Sequence, residues 1–155
     1  MKQPQNKNNP IILINKPSYS QKNLIKTKVY YTLPSQANSD VWIKFVRDSV
    51  GRGRSFLFGA KTQGKLVGFI LASYIRDSPF EVAENIGAIN DLYVLPEHRG
   101  KGMGEKLIIE CLEKLKTEGV QSVRVQVLSE NATAIGLYEK LGFKICRHGM
   151  IKTFI

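Results

Sequence analysis

Apolar and polar positions along this 155-residue chain change period several times, and each block predicts an element. Ile11 to Ile14 is a short apolar run that suits a first strand. Asn23 to Leu33 fits two patterns. Ile25, Val29 and Leu33 share a helical face, Lys28 to Thr32 also suits a strand, and the segment is read here as a helix. Ser39 is placed to cap a helix reaching about Val50, with Val41, Trp42, Phe45 and Val46 on its apolar side and Gly51 at its end. Ser55 to Ala60 and Leu66 to Tyr74 read as a hairpin turning at Gln63-Gly64, and Gly87 to Leu95 as a further strand.

The clearest period is helical. From near Met103, Leu107, Ile108, Cys111, Leu112 and Leu115 fall on one face and Glu110, Glu113, Lys114 and Lys116 on the other, until Gly119 stops the helix. Val120 to Leu128 then alternates Val123, Val125 and Val127 against Arg124 and Gln126, as a strand does. Asn131 to Leu141 predicts a helix closed by Gly142, and Phe143 should open a final hairpin. Together these elements predict an α/β fold, a mixed sheet with a strand-helix-strand crossover between Gly87 and Leu128.

Between the strand ending near Leu95 and the helix from Met103 lies Arg99-Gly100-Lys101-Gly102-Met103-Gly104. Glycines allow successive backbone N–H groups to converge on one anion, and the following helix presents the positive end of its dipole there. Arg99 and Lys101 add full charges, so the turn predicts a pyrophosphate ligand. Two familiar phosphate motifs do not fit. No glycine-lysine pair is followed by Ser or Thr as a P-loop requires, and the last glycine of a G-x-G-x-x-G fingerprint would fall on Glu105 or Leu107. The pattern is Arg-x-x-Gly-x-Gly.

Length and composition narrow the setting. A chain of this size is one domain by the usual prior, burying about 70% of its unfolded surface. The expected organisation is a flexible basic tail over 1–10 and a single domain over 11–155. Apolar runs are too short for a membrane span or a secretory signal, and the expected location is cytoplasmic. Cys111 and Cys146 form no metal-ligand spacing with His98 and His148, so no metal is expected. Of the net charge of +10, six positive charges (Lys2, Lys7, Lys16, Lys22, Lys26 and Lys28) precede the first acid, Asp40. Aromatic and basic residues are not interleaved as in a single-strand binder, and no specific nucleic-acid partner is expected.

The second informative block is Asn131-Ala132-Thr133-Ala134-Ile135-Gly136-Leu137-Tyr138-Glu139-Lys140-Leu141-Gly142-Phe143-Lys144. Following Arg99-x-x-Gly102-x-Gly104 after an intervening helix and strand, it resembles the second block of the GNAT superfamily of acyl-CoA-dependent N-acetyltransferases. The resemblance spans roughly Phe56 to Lys144 and is strongest at the two blocks. It implies the GNAT-type sheet, mixed but mostly antiparallel and flanked by helices, with the crossover at the CoA site. It also implies acetyl-CoA as co-substrate, and roles for particular residues. Backbone groups of Leu92 and Val94 would pair with the pantetheine arm, and the Val94 N–H would polarise the acetyl carbonyl. Arg99, Gly100, Lys101, Gly102, Met103 and Gly104 would hold the pyrophosphate. Asn131 would contact the pantetheine arm, and Tyr138 would protonate the departing thiolate.

The chemistry explains why such groups are needed. A tyrosine, with an ordinary pKa of about 10, is protonated at neutral pH and can donate. An alkyl ammonium of pKa near 10.4 is neutral only about once in 2,500 at pH 7, so an acceptor for its proton is required. Asp91 is the candidate, as base, amine anchor or structural carboxylate. The chain departs from the family here. Relatives acting on histones carry a glutamate where this chain has Ala88, and polyamine-type relatives carry an acid pair where it has Asn90-Asp91. Glu81 and Glu84 are weaker candidates for an acceptor pocket, and His98 is read as solvent-facing. The expected reaction is direct attack by a primary amine in a ternary complex, the acceptor being a small amine or a protein N-terminus or lysine. A homodimer is compatible with the resemblance. The competing reading is a non-catalytic acyl-CoA-binding regulatory domain.

Overall fold

A computed structural model describes residues 10–14, 36–75 and 85–154. The tail, the segment Asn23 to Leu33, Glu81 and Glu84 therefore lie outside the described residues, Pro10 apart. The chain divides into two compact units, Met1–Val125 and Gln126–Ile155.

Among the described residues the first unit holds five strands: β1 (Ile11–Leu13), β2 (Ser55–Thr62), β3 (Lys65–Ile75), β4 (Ile86–Val94) and β5 (Ser122–Val125). They lie in sequence order across one sheet. The first three pairings are antiparallel and only β4 with β5 is parallel, joined through helix α2 (Met103–Thr117). The mixed sheet and its crossover thus match the expectation, as do the hairpin and its Gln63-Gly64 turn.

Alternate strand residues point to opposite faces, and each face carries a helix. On one, helix α1 (Gln36–Gly51) sets Trp42, Ile43 and Val46 against Ile14, Leu57, Phe69, Leu71 and Tyr93. On the other, α2 buries Leu107, Ile108, Cys111 and Leu115. A Cβ added to Gly87 would meet Leu115 at 3.0 Å, which shows how closely α2 lies on β4. Each fully buried aliphatic contributes about 1.5–3 kcal/mol, so these two layers fix the framework from which the β4–α2 turn hangs. The far end of α2 is tied down as well: the Glu118 carboxylate accepts from the Tyr74 hydroxyl and from Lys114 Nζ.

Four expectations need correction. Helix α1 already runs at Gln36, so Ser39 lies inside it rather than at its cap. Its buried arc is also rotated: Ile43 is buried, while Val41 and Phe45 are 68% and 62% exposed. At about 100° per residue, positions 42, 43, 46 and 50 span a narrower arc than 41, 42, 45 and 46, and the sheet accepts the narrower one. Strand β5 ends at Val125, short of Leu128, because its register with β4 ends at the Ile89–Val125 pair. The expected terminal hairpin is absent among the described residues, which hold no strand from 143 to 154. A four-residue alternation starting at Phe143 is too short to impose pairing, and Ile145, Met150, Ile151 and Phe154 are exposed.

The second unit contains helix α3 (Ala132–Lys140). Its N-cap is Asn131, whose Oδ1 accepts from the Ala134 N–H at 3.1 Å. Gly142 follows the helix at φ +87, closing it where the sequence indicates. No helix among the described residues is long and apolar enough to cross a membrane.

Candidate functional site

The site in the first unit begins with an irregularity in β4. Leu71 lies opposite Asp91, yet the next residue, Ala72, lies opposite Ile89, so Asn90 is an extra residue in the ladder. Such a bulge inverts which side of a strand each following side chain takes. Gly87 faces α2 before it; after it, Asp91 and Tyr93 face α1 with their partners Leu71 and Phe69. Asp91 is thereby turned onto the α1 face, where the indole N–H of Trp42 donates to its carboxylate. Burial raises the carboxyl above its ordinary pKa of 3.8, and the hydrogen bond from Trp42 opposes that rise.

The same irregularity opens an edge. The Leu95 N–H donates to Val67 O at 2.8 Å. The alternation of an antiparallel ladder then makes Tyr93 with Phe69 a bonded pair and turns the N–H and C=O groups of Leu92 and Val94 away from β3. They point toward the side on which β5 lies, but the β4–β5 register has already ended at Ile89. Gly68 sits opposite Val94, where an added Cβ would meet Tyr93 O at 2.8 Å, so β3 crowds this end of β4 from the other side. An extended ligand carrying amides can pair with the outward edge as an additional strand would.

Beyond β4, Pro96–His98 forms a short 3-10 turn, and the glycine turn leads into α2. Gly100 and Gly102 take φ of +70 and +74, the left-handed region that a side chain disfavours. Gly102 is the N-cap of α2 and has no side chain to bond the first-turn N–H groups. Among the described residues no hydrogen bond takes the backbone N–H of Gly100, Lys101, Gly102, Met103 or Gly104. A Cβ on Gly100 or Gly102 would meet nothing within 4 Å, so the space over these donors is open. Donors, helix dipole and room are the features that an anion of phosphate type would require.

The two cations of the turn are held by neighbouring groups. Arg99 Nε donates to Val94 O at 2.9 Å with its guanidinium over the Tyr93 ring at 5.6 Å, and Lys101 Nζ donates to Glu97 O at 2.9 Å. Their fixed charge adds to the field of the turn while the main chain supplies the directed donors. Asp91, Leu92, Val94 and the residues from Arg99 to Gly104 thus follow one another along a single strand-turn-helix passage.

Asn131 and Tyr138 belong to the second unit and lie two turns apart on α3. The Tyr138 ring is buried and meets Phe143 edge-on at 5.4 Å. The Phe143 N–H returns to Tyr138 O at 3.0 Å, which explains why Gly142-Phe143 follows the tyrosine so closely. The sequence missed one participant. Trp42 was readable only as a core residue, although a buried indole must place its N–H on some acceptor.

Comparison with known proteins identifies the family and the fold. Residues 22–143 match the model of the acetyltransferase (GNAT) family. Over 111 residues the chain is 32% identical to an L-methionine sulfoximine/L-methionine sulfone acetyltransferase of Pseudomonas paraeruginosa, a match covering 70% of this chain. It spans 60% of that relative's length, under two-thirds. A [ribosomal protein bS18]-alanine N-acetyltransferase of Escherichia coli is 26% identical over 113 residues, 73% of this chain and 71% of that protein. Among solved structures, AAC(6')-Iy in complex with the bisubstrate analog CoA-S-monomethyl-acetylneamine superposes with a TM-score of 0.72, covering 94% of this chain and 97% of that one. At 16% identity that likeness concerns the fold alone.

Proposed function

We propose that this chain, which belongs to the acetyltransferase (GNAT) family, transfers the acetyl group of acetyl-CoA to a primary amine by direct attack within a ternary complex. The observation that carries the reading is the continuity of the site in the first unit. An outward-turned strand edge at Leu92 and Val94 runs into a glycine turn whose N–H groups have no partner among the described residues, and then into a helix N-terminus. That sequence of groups suits a ligand with an amide-bearing arm at one end and a diphosphate at the other, as coenzyme A has. Arg99 and Lys101 favour the diphosphate through charge, and backbone amides from Gly100 to Gly104 bind it directly.

In the reaction a C–N bond forms as the amine attacks the thioester carbonyl, and the C–S bond breaks. The Val94 N–H steadies the developing oxyanion from the open edge. The Tyr138 hydroxyl protonates the departing thiolate and regains its proton from solvent. Asp91 takes the proton released by the ammonium; its raised pKa makes it a stronger base than an exposed aspartate. Asn131, with Oδ1 committed to the helix cap, offers its carboxamide NH2 to a carbonyl of the pantetheine arm.

The similar proteins suggest a panel of amine acceptors: small amino-acid analogues, peptides beginning with alanine, and aminoglycosides. The test is thiol release from acetyl-CoA with each of them. Release above the no-amine rate with at least one acceptor is expected. Tight CoA binding with no release across the panel would favour a non-catalytic acyl-CoA-binding domain.

A further inference from the structure

We infer that Trp42 is a positioning residue for the Asp91 carboxylate, holding it by the indole N–H so that one oxygen is fixed and the other is presented to the amine. This role rests on Asp91 acting as the proton acceptor. Three features of the fold converge on it. The bulge at Asn90 puts Asp91, not Asn90, on the α1 face opposite Leu71. Trp42 is 5% exposed and its ring is wedged against Phe69, centroids 5.8 Å apart, within the cluster that includes Leu71 and Tyr93. An indole so placed cannot swing to water, and its N–H donates to Asp91.

The neutrality of the donor matters. A lysine or arginine beside Asp91 would hold its pKa low and make it a poor base, whereas an indole orients the carboxylate without adding a charge. The surrounding groups leave that balance intact. β3 contributes Phe69, Leu71 and Ser73 to this face, none of them charged. β4 contributes Tyr93, with the Arg99 guanidinium over its ring. The charged residues of α1 after Val41, namely Lys44, Arg47 and Asp48, are exposed.

Trp42 is the sole tryptophan of the chain, so its indole gives one isolated NMR resonance. In the full-length wild-type protein that resonance should titrate with a midpoint above 3.8, the ordinary aspartate value, and the titration should vanish in Asp91→Asn. In kinetics, Trp42→Phe keeps the ring packing and removes the donor. The acid limb of its kcat/KM profile should move up by about one pH unit or more, the scale of a hydrogen bond to a charged group. Its affinity for CoA should not change. An indole resonance indifferent to Asp91 overturns the positioning role, even if Trp42→Phe fails to fold. So does an unmoved acid limb where Asp91→Asn has lost turnover, which leaves Asp91 standing as base. Full turnover in Asp91→Asn removes the base itself and with it any positioning of one.

Discussion

The turn from Gly100 to Gly104 and the helix from Asn131 to Tyr138, each considered within its own unit, present different kinds of atom for the roles proposed for them. The turn offers main-chain N–H groups, whose direction depends on backbone angles at two glycines. The helix offers side chains, an amide and a phenol, on an ordinary backbone capped by one of them. The first should fail when a backbone angle is forbidden and tolerate other changes. The second should fail when a single atom is removed.

The largest effect should come from the turn. Gly102→Val forces a β-branched residue to φ +74, strain of about 1–3 kcal/mol, and redirects several donors toward the diphosphate, each worth about 1.5–3 kcal/mol as a charge-assisted bond. CoA binding should fall below calorimetric detection. The circular-dichroism spectrum should stay native, because the new Cβ meets nothing within 4 Å. Next comes the side-chain region. Tyr138→Phe should lower kcat by about 10²–10⁴ and leave CoA affinity nearly unchanged; equal losses in both would erase the contrast between the regions.

A smaller effect separates function from stability at Asp91. Its folded pKa is raised by burial, so its contribution to stability is fully present below the unfolded value near 3.8 and is lost as pH rises through the folded pKa. Asp91→Asn removes that loss and can still accept from Trp42. It should therefore melt a few degrees above wild type at pH 7, with the gap closing as pH falls below about 4, while turnover drops. The smallest effect concerns thiols. Burial pushes the Cys111 thiol up to about 12, whereas Cys146 is exposed. A thiol reagent should label one cysteine rapidly in the native protein and the second only on unfolding.

How much of this was legible depended on whether the determinant is local. The apolar face of α2 and the glycine turn before it are set by residues within a few positions of one another, and both are where the sequence puts them. The helix start at Asn131 and the Gln63-Gly64 turn are local in the same sense. The Asn90 bulge is not, because it exists only in register with β3; no property of Gly87 to Leu95 alone says that Asp91 will face α1. The same bulge explains another surprise, the pairing of Trp42 with Asp91. Val41 and Phe45 illustrate a further limit. A helix with two overlapping apolar arcs needs the sheet to choose between them.

Everything proposed for the site requires that backbone amides from Gly100 to Gly104 bind the diphosphate of coenzyme A. That binding is tested most directly by amide NMR of the intact protein titrated with CoA and, separately, with pantetheine, which shares the arm but lacks the diphosphate. CoA should shift the amide resonances of Gly100, Lys101, Gly102, Met103 and Gly104, while pantetheine should leave those five in place. Shifts of equal size with both ligands, or CoA shifts that bypass this turn, would contradict it.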